Sequence, residues 1–266
     1  MATLKDRIRQ ITHNEVPKGQ RELWEHLSGT YFTLRLTLAV TALLMPVVLW
    51  VWGTSAHGLQ TQPSMSRYFW AATNADCASF PMRTFLVAAL VTVSVCLFVH
   101  KGFTPFENLL LKAAAILNAL VAFLPEGLPT AAGEITARDA QLYAACPAIL
   151  QWASTQQPPV PLHGWAALAT YACLFVVVLK CARKSLAYLP ANAAMKKETF
   201  VLLYRLIAWA MPLAGGGILL LGKAGGGTDI PVAFMVEATE TWLFSAYWWV
   251  KTYELQQSTL RSFPAG

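Results

Sequence analysis

Six stretches of this chain, at about 31–53, 82–101, 109–125, 162–180, 200–221 and 230–250, run almost without charge for the length a helix needs to cross a bilayer. A hydrocarbon core of ~30 Å takes about 20 residues at ~1.5 Å each. Backbone N–H and C=O groups find no water there, so each run is predicted to close its hydrogen bonds within itself as a helix. The composition agrees: 56% of residues are hydrophobic and 13% charged, about half the ~25% charge of a soluble domain. The charges fall between the runs. The predicted fold is therefore all-α, an integral membrane bundle of six helices over 31–251. A partly amphipathic segment, 1–30, precedes it and a short tail, 252–266, follows.

The distribution of Lys and Arg predicts the orientation, since basic residues are retained on the cytoplasmic side. With the N-terminus inside, thirteen are cytoplasmic: five before residue 30, Lys101, five in 180–197, Lys251 and Arg261. Three, Arg67, Arg138 and Lys223, are external, and Arg35, Arg83, Lys112 and Arg205 lie in or at the rims of helices. Both termini are expected in the cytoplasm, and the membrane is expected to be a bacterial inner (plasma) membrane. Trp50, Trp52, Trp165, Trp248 and Trp249 stand at helix ends, where an indole has one edge in apolar surroundings and an N–H that seeks a partner. No apolar core with a small-residue cleavage site precedes residue 31, so the first run is expected to stay as an anchor. The net charge of +6 does not read as a nucleic-acid surface, because no basic stripe with interleaved aromatics accompanies it.

Two loops on the external side are long. Residues 54–81 carry SMSRYFWAATNADC, and 126–161 carry ITARDAQLYAACPAILQW. In the second, Ile135, Leu142, Tyr143, Ile149 and Leu150 recur at helical spacing, which fits either an amphipathic helix on the membrane surface or a lid packed over the bundle. Leu23, Trp24 and Leu27 suggest a similar face on the N-terminal segment. Pro46 and Pro212 are expected to kink helices one and five. Topology also sorts the cysteines. Cys96 and Cys173 are within helices and Cys181 is cytoplasmic, whereas Cys77 and Cys146 stand one in each external loop. Disulfides persist in oxidising compartments, so these two are the expected pair.

Ionisable groups inside spans cost at least ~2.5 kcal/mol at mid-membrane and are placed facing partners or cavities. Helix six carries FMVEATETWLF, with Glu237, Glu240 and Thr241 on one face. Arg205 in helix five is the expected partner of Glu240. Arg83 at the outer end of helix two is in reach of Glu237, and His163 at the start of helix four stands at the same level. These residues form either a polar site in the outer half of the bundle or a set of ion pairs and hydrogen bonds that fix helix register. Asn118 is expected to bond between helices, Lys112 and Arg35 to reach the headgroups, and His100 to lie at the interface. No HExxH or HxxxH occurs and the cysteines lack ligand spacing, so no metal or other cofactor is expected. Neither Ser64 nor Ser66 sits in a GxSxG elbow, and no catalytic residue is assigned.

The succession SMSRYFW, MRTFLVAALVTVSVCLFVHKGF, NALVAFLP, HGWAALATYACLF and VEATETWLFSAYWWVK over residues 61–251 resembles a group of bacterial polytopic membrane proteins similar to the DUF998 and Frag1/DRAM-like families. The resemblance implies a six-helix bundle whose outer loop leads into helix two and whose last helix bears a Glu. Ser64, Ser66, Arg83, His163 and Glu237 are the corresponding residues. A more distant similarity to the membrane hydrolases that include alkaline ceramidases implies a Ser, an Asp and a three-histidine zinc site, but the paired late histidines are missing here.

Three functions are compatible with these features. The first is a non-enzymatic sensor or accessory subunit whose outward polar pocket binds a lipid, a small amphiphile or a partner protein, either another membrane protein or a second copy of itself. The second is a small ion- or proton-coupled transporter using Glu237 and Glu240. The third is a membrane-embedded lipid hydrolase.

Overall fold

The computed structural model describes residues 18–72, 77, 79–130, 135, 137–155, 161–224 and 231–258. Residues 1–17 and 259–266, which hold most of the two predicted terminal segments, lie outside the described residues, as does the side chain of Trp24.

Among the described residues regular structure is helical throughout. Helix α1 spans Lys18–Val47. Pro46 removes a backbone donor near its end, and the chain passes directly into a π-helical segment, Val48–Trp52, and a short α2, Gly53–His57. Gly58, at φ 62°, closes this run: its N–H donates to the Thr54 carbonyl and that of Leu59 to the Gly53 carbonyl. A 3-10 helix follows at Ser66–Trp70. Then come α3, Pro81–Val99, and α4, Pro105–Phe123, each with proline at its first position, where the missing N–H has no intrahelical partner to lose. Two short helices, α5 at Ala137–Ala145 and α6 at Pro147–Thr155, occupy the second long loop. Helix α7, Leu162–Val176, continues through a π segment and a 3-10 turn to Tyr188. Helices α8, Lys197–Ala224, and α9, Val232–Gln257, complete the fold.

Five stretches of helix are long and apolar enough to cross a membrane: His26–His57, Pro81–Val99, Pro105–Phe123, Leu162–Tyr188 and Lys197–Ile218. The chain has the architecture of a multi-pass membrane protein. Large apolar side chains face outward along the helices, among them Leu109, Phe123, Trp165, Leu168, Leu213 and Leu220, a distribution that water would not tolerate over so wide a surface. The run predicted at 230–250 forms α9, which carries Glu237, Glu240, Lys251 and Glu254 and is not among these five. Most helices also overrun the predicted apolar limits. Helix α1 begins at Lys18 rather than 31, and α9 continues to Gln257 rather than 250. Hydropathy marks only the part of a helix that suits lipid, whereas the hydrogen-bond ladder extends as far as propensity and packing carry it. Pro212 and the glycines after it remain inside an uninterrupted α8.

The long helices form a closed ring in chain order. Helix α1 packs against α3, α3 against α4, α4 against α7, the π segment of α7 against α8, α8 against α9, and α9 back against α1. Both long loops thus share one end of the bundle, here the loop end. The described chain ends, Lys18 and Ser258, share the other. Two layers of buried side chains fill the ring. One, toward the chain ends, includes Leu38, Leu97, Leu111, Val177, Phe200 and Trp248. The other, toward the loop end, includes Leu49, Tyr68, Met82, Leu86 and Phe234.

The second long loop is a lid. Pro147 ends the helical ladder after Cys146 and splits the predicted amphipathic helix in two. Tyr143, Cys146, Ile149 and Ala153 then bury themselves against Trp70 and Leu128. Tyr143 donates its hydroxyl to the Pro129 carbonyl at 2.6 Å, and burial, followed by the Asp139 charge, pushes this phenol above its usual range. Cys77 and Cys146 are joined in a disulfide with Cα atoms 5.7 Å apart, which ties the first long loop to the lid.

Toward the chain ends, three expectations are corrected. Arg35 does not reach the headgroups: it is 1% exposed and its Nη1 donates to the Lys251 carbonyl at 2.9 Å. His100 is not interfacial but buried, stacked on Tyr31 and in edge contact with Trp248. Trp248 itself is buried in the core instead of lying in a headgroup belt. In each case an aromatic or charged residue counted as a boundary marker found partners across the ring, which spacing along one helix cannot reveal. Asn118 behaves as expected, donating from α4 to the Leu90 carbonyl at 2.8 Å and to Ser94 Oγ at 2.9 Å on α3.

The α3–α4 turn yields a first prediction. A Cβ on Gly102 would lie 2.7 Å from the Asn108 backbone nitrogen and 2.8 Å from Glu107 Cγ. Thr104 caps α4 by accepting from the Glu107 N–H, and the buried Glu107 carboxylate accepts from the Phe103 N–H. Gly102→Ala must therefore push against fixed backbone and is expected to cost about 1–3 kcal/mol, read as a lowered thermal midpoint of the detergent-solubilised protein.

Candidate functional site

At the loop end the 3-10 helix descends into the mouth of the ring, and its sequence explains how it is held. Met65 and Ser66 stand at its start, where backbone N–H groups have no partner within the helix. The Glu237 carboxylate, on the first turns of α9, takes up that role: its Oε2 accepts from the Met65 N–H at 2.5 Å, and the Ser66 amide faces the same group. Ser64 Oγ accepts from the Arg67 N–H at 3.0 Å and donates to Glu126 Oε2 at 2.5 Å. Trp70 Nε1 donates to the Glu126 carbonyl at 3.0 Å, and the Phe234 N–H donates to the Pro63 carbonyl at 2.9 Å.

His163, in the first turn of α7, bridges two of these elements. Its Nδ1 lies 2.6 Å from the Leu124 carbonyl at the end of α4, and its Nε2 lies 2.8 Å from Ser66 Oγ. A carbonyl oxygen only accepts, so Nδ1 carries the hydrogen. In the neutral ring Nε2 is then the acceptor and the Ser66 hydroxyl the donor. The Leu124 carbonyl is available because it is among the last of α4 and has no intrahelical donor.

Beneath this polar group runs a cavity of about 70 Å³. Ser66 and Glu237 line it near the loop end, and Tyr171, Thr241 and Asn118 line it at mid-depth. Leu90, Val93, Leu97, Leu174 and Phe244 are among the apolar residues that line it deeper down. The Tyr171 and Thr241 hydroxyls pair at 3.0 Å, and Thr241 Oγ1 donates to the Glu237 carbonyl. A second, more polar hollow of about 290 Å³ lies on the other face of the 3-10 helix, among Gln60, Gln62, Arg67, Asp139 and Gln141.

The structure brings together only part of the predicted set. Glu237 and His163 meet the Ser64–Ser66 segment. Arg83 does not reach Glu237: its Nε donates to the Phe69 carbonyl at 2.8 Å, and its guanidinium rests on the rings of Phe80, Phe69 and Trp70 at 4.0, 4.4 and 5.4 Å. This aromatic seat fixes the 3-10 helix to α3. Glu240 turns away from the cavity toward α8, where a Cβ on Gly215 would lie 3.1 Å from its Oε1. Arg205 is exposed on α8 and forms no ion pair with Glu240 among the described residues. The expected partnership fails because the two side chains leave their helices in different directions.

Glu126 is a component that the sequence analysis did not single out. Its place directly after a helix-terminating Pro125 was the available signal, since a carboxylate at a helix end is free to serve a neighbouring loop. Among the described residues no group of three or more His, Cys, Asp or Glu is placed to hold a metal ion. Comparison of the chain with protein-family models, with characterised proteins and with solved structures gives no match.

Proposed function

We propose that this chain is a six-pass protein of a bacterial inner membrane, with both termini cytoplasmic, that binds a lipid or single-chain amphiphile from its external side. Helix α9 is the sixth span. Its 26 residues reach about 39 Å, and its charges are turned inward or paired: Glu237 meets the 3-10 helix, Glu240 faces α8 and Lys251 bridges Glu254. The basic residues of the chain then lie overwhelmingly at the end opposite the long loops, which supports a cytoplasmic location for that end. A disulfide at the loop end supports the same orientation.

The observation that carries the binding reading is the shape and polarity of the cavity. It is polar at its mouth, carries the Tyr171, Thr241 and Asn118 side chains at mid-depth, and is otherwise lined by apolar residues, including Leu86 to Leu97 along α3, a depth of about 16 Å. A ligand with one polar group and one apolar tail matches this lining, and the cavity, at about 70 Å³, must widen to take a whole tail. The carrier reading, which relies on Glu237 and Glu240 acting together, gains no support from two carboxylates that face different neighbours.

Native mass spectrometry of protein extracted in a mild detergent tests this. A bound amphiphile at one per chain is expected, and Ala167→Phe, which fills the cavity from α7, is expected to reduce occupancy at least tenfold without loss of folded protein. Equal occupancy in wild type and variant, or none in either, refutes the proposal. Orientation is checked separately with a reporter at residue 140 and one at the C-terminus, which are expected on opposite sides.

A further inference from the structure

Ser66 and His163 stand 97 positions apart, and no local motif announces either as reactive. Their geometry has three parts that a serine nucleophile needs. The hydroxyl donates to an imidazole nitrogen at 2.8 Å. The opposite ring nitrogen is held at 2.6 Å by a fixed acceptor, the Leu124 carbonyl, which sets both tautomer and orientation. The serine also lines the cavity at its mouth, above the Leu86, Leu90 and Val93 side chains of α3, where the polar junction of a bound amphiphile would lie.

Ser64, two residues earlier, is a built-in contrast. It is equally a buried serine in the same segment, but its partner is the Glu126 carboxylate and it does not line the cavity.

We propose that Ser66 is the nucleophile and His163 the general base of an acyl-transfer site that cleaves an ester of a single-chain amphiphile. This rests on the cavity holding the tail of such a molecule, and it replaces the expectation of a purely binding protein. Ser66 Oγ attacks the ester carbonyl carbon as its proton passes to His163 Nε2. The bond from that carbon to the alkoxy oxygen breaks, and the leaving alcohol takes the proton from Nε2. Water then attacks the acyl-serine, again giving a proton to Nε2. The carbon–Oγ bond breaks, Ser66 recovers its proton and the carboxylic acid leaves. The sum is ester plus water to acid plus alcohol.

Negative charge develops on the carbonyl oxygen during each attack. The Met65 and Ser66 amides, which hold the Glu237 carboxylate, are donors already directed at an anion beside Ser66. The carboxylate must yield that position, so it acts as a competitor for the oxyanion.

The test uses the full chain in detergent and a dodecyl fluorophosphonate, whose phosphorus bonds to a reactive serine Oγ with loss of fluoride. Peptide mass spectrometry is expected to find one phosphonate, on Ser66 and not on Ser64, and none in Ser66→Ala. His163→Ala and His163→Gln are expected to slow the reaction ~100-fold, the general-base contribution. Added imidazole should restore part of the rate in His163→Ala, which a merely structural histidine would not permit. Glu237→Gln should react at least as fast as wild type.

An unlabelled Ser66, equal labelling of Ser64 and Ser66, slower labelling of Glu237→Gln, or a rate indifferent to His163 in whichever variant folds would each overturn the proposal. The two readings fail separately. Bound amphiphile with an inert Ser66 leaves a binding protein, whereas absence of bound amphiphile from wild type and Ser66→Ala alike refutes the binding site on which the dyad depends.

Discussion

Glu254→Gln is expected to destabilise the protein by about 3–5 kcal/mol, because it leaves a buried ammonium without its counter-charge. Lys251 and Glu254 are 2% and 3% exposed and their charged atoms lie 3.1 Å apart near the chain-terminal end of α9. Lys251 Nζ also donates to the Ala182 carbonyl at 2.6 Å and to Ser185 Oγ, both in the 3-10 turn after α7, while Tyr204 on α8 donates to Glu254. Three helices thus meet on one ion pair. Removing the carboxylate charge strands Lys251 in a site closed to water, and Lys251→Met strands Glu254 in the same way. Replacing both with Met and Leu removes both charges and is expected to recover most of the loss. A double-substitution cycle on thermal or denaturant unfolding in detergent measures this directly. Additive losses would mean that the pair is solvated or unpaired in the membrane.

The second large effect is expected at the lid. Cys77→Ser or Cys146→Ser opens a link between residues 69 apart in the sequence. Chain-entropy arguments give about 4 kcal/mol for a loop of that length in a chain free when unfolded. Helices held in a bilayer are not free, so about 2–3 kcal/mol is the expected global cost. The local effect is larger. The lid's own core is small, built chiefly on Trp70, Leu128, Tyr143, Ile149 and Ala153 around the cystine. Once the bond is opened, α5 and α6 should exchange amide hydrogens orders of magnitude faster while α1, α3 and α9 stay protected. Unchanged protection of 137–155 after reduction would show that packing alone holds the lid. The bond itself is read as a mobility shift on reduction that disappears in either serine variant.

How the candidate site could be read differs residue by residue. Glu237 and His163 drew attention because a carboxylate within an apolar run and an imidazole at a run's edge are costly unless used, and both lie at the site. Arg83 and Glu240 met the same criterion and serve elsewhere: one is seated on aromatic rings, the other faces α8. Cost marks a residue as partnered without saying by what. The decisive contact, Ser66 to His163, joins residues of ordinary frequency through a loop whose descent into the bundle leaves no periodic trace.

The order of apolar runs was sufficient by itself to dictate helices and a chain suited to lipid, because hydrocarbon admits no unpaired backbone, whereas where each helix ends was set by propensity and packing. The cysteines that would meet were also accessible, since sidedness and redox chemistry are set by charge and compartment. Ring closure between α9 and α1, the burial of Arg35, His100 and Trp248, and the union of Ser66, His163, Leu124 and Glu237 came only from the tertiary structure. Rotation of each helix about its axis and the path of a non-periodic loop are fixed by contacts between distant segments, and one-dimensional pattern carries no measure of those.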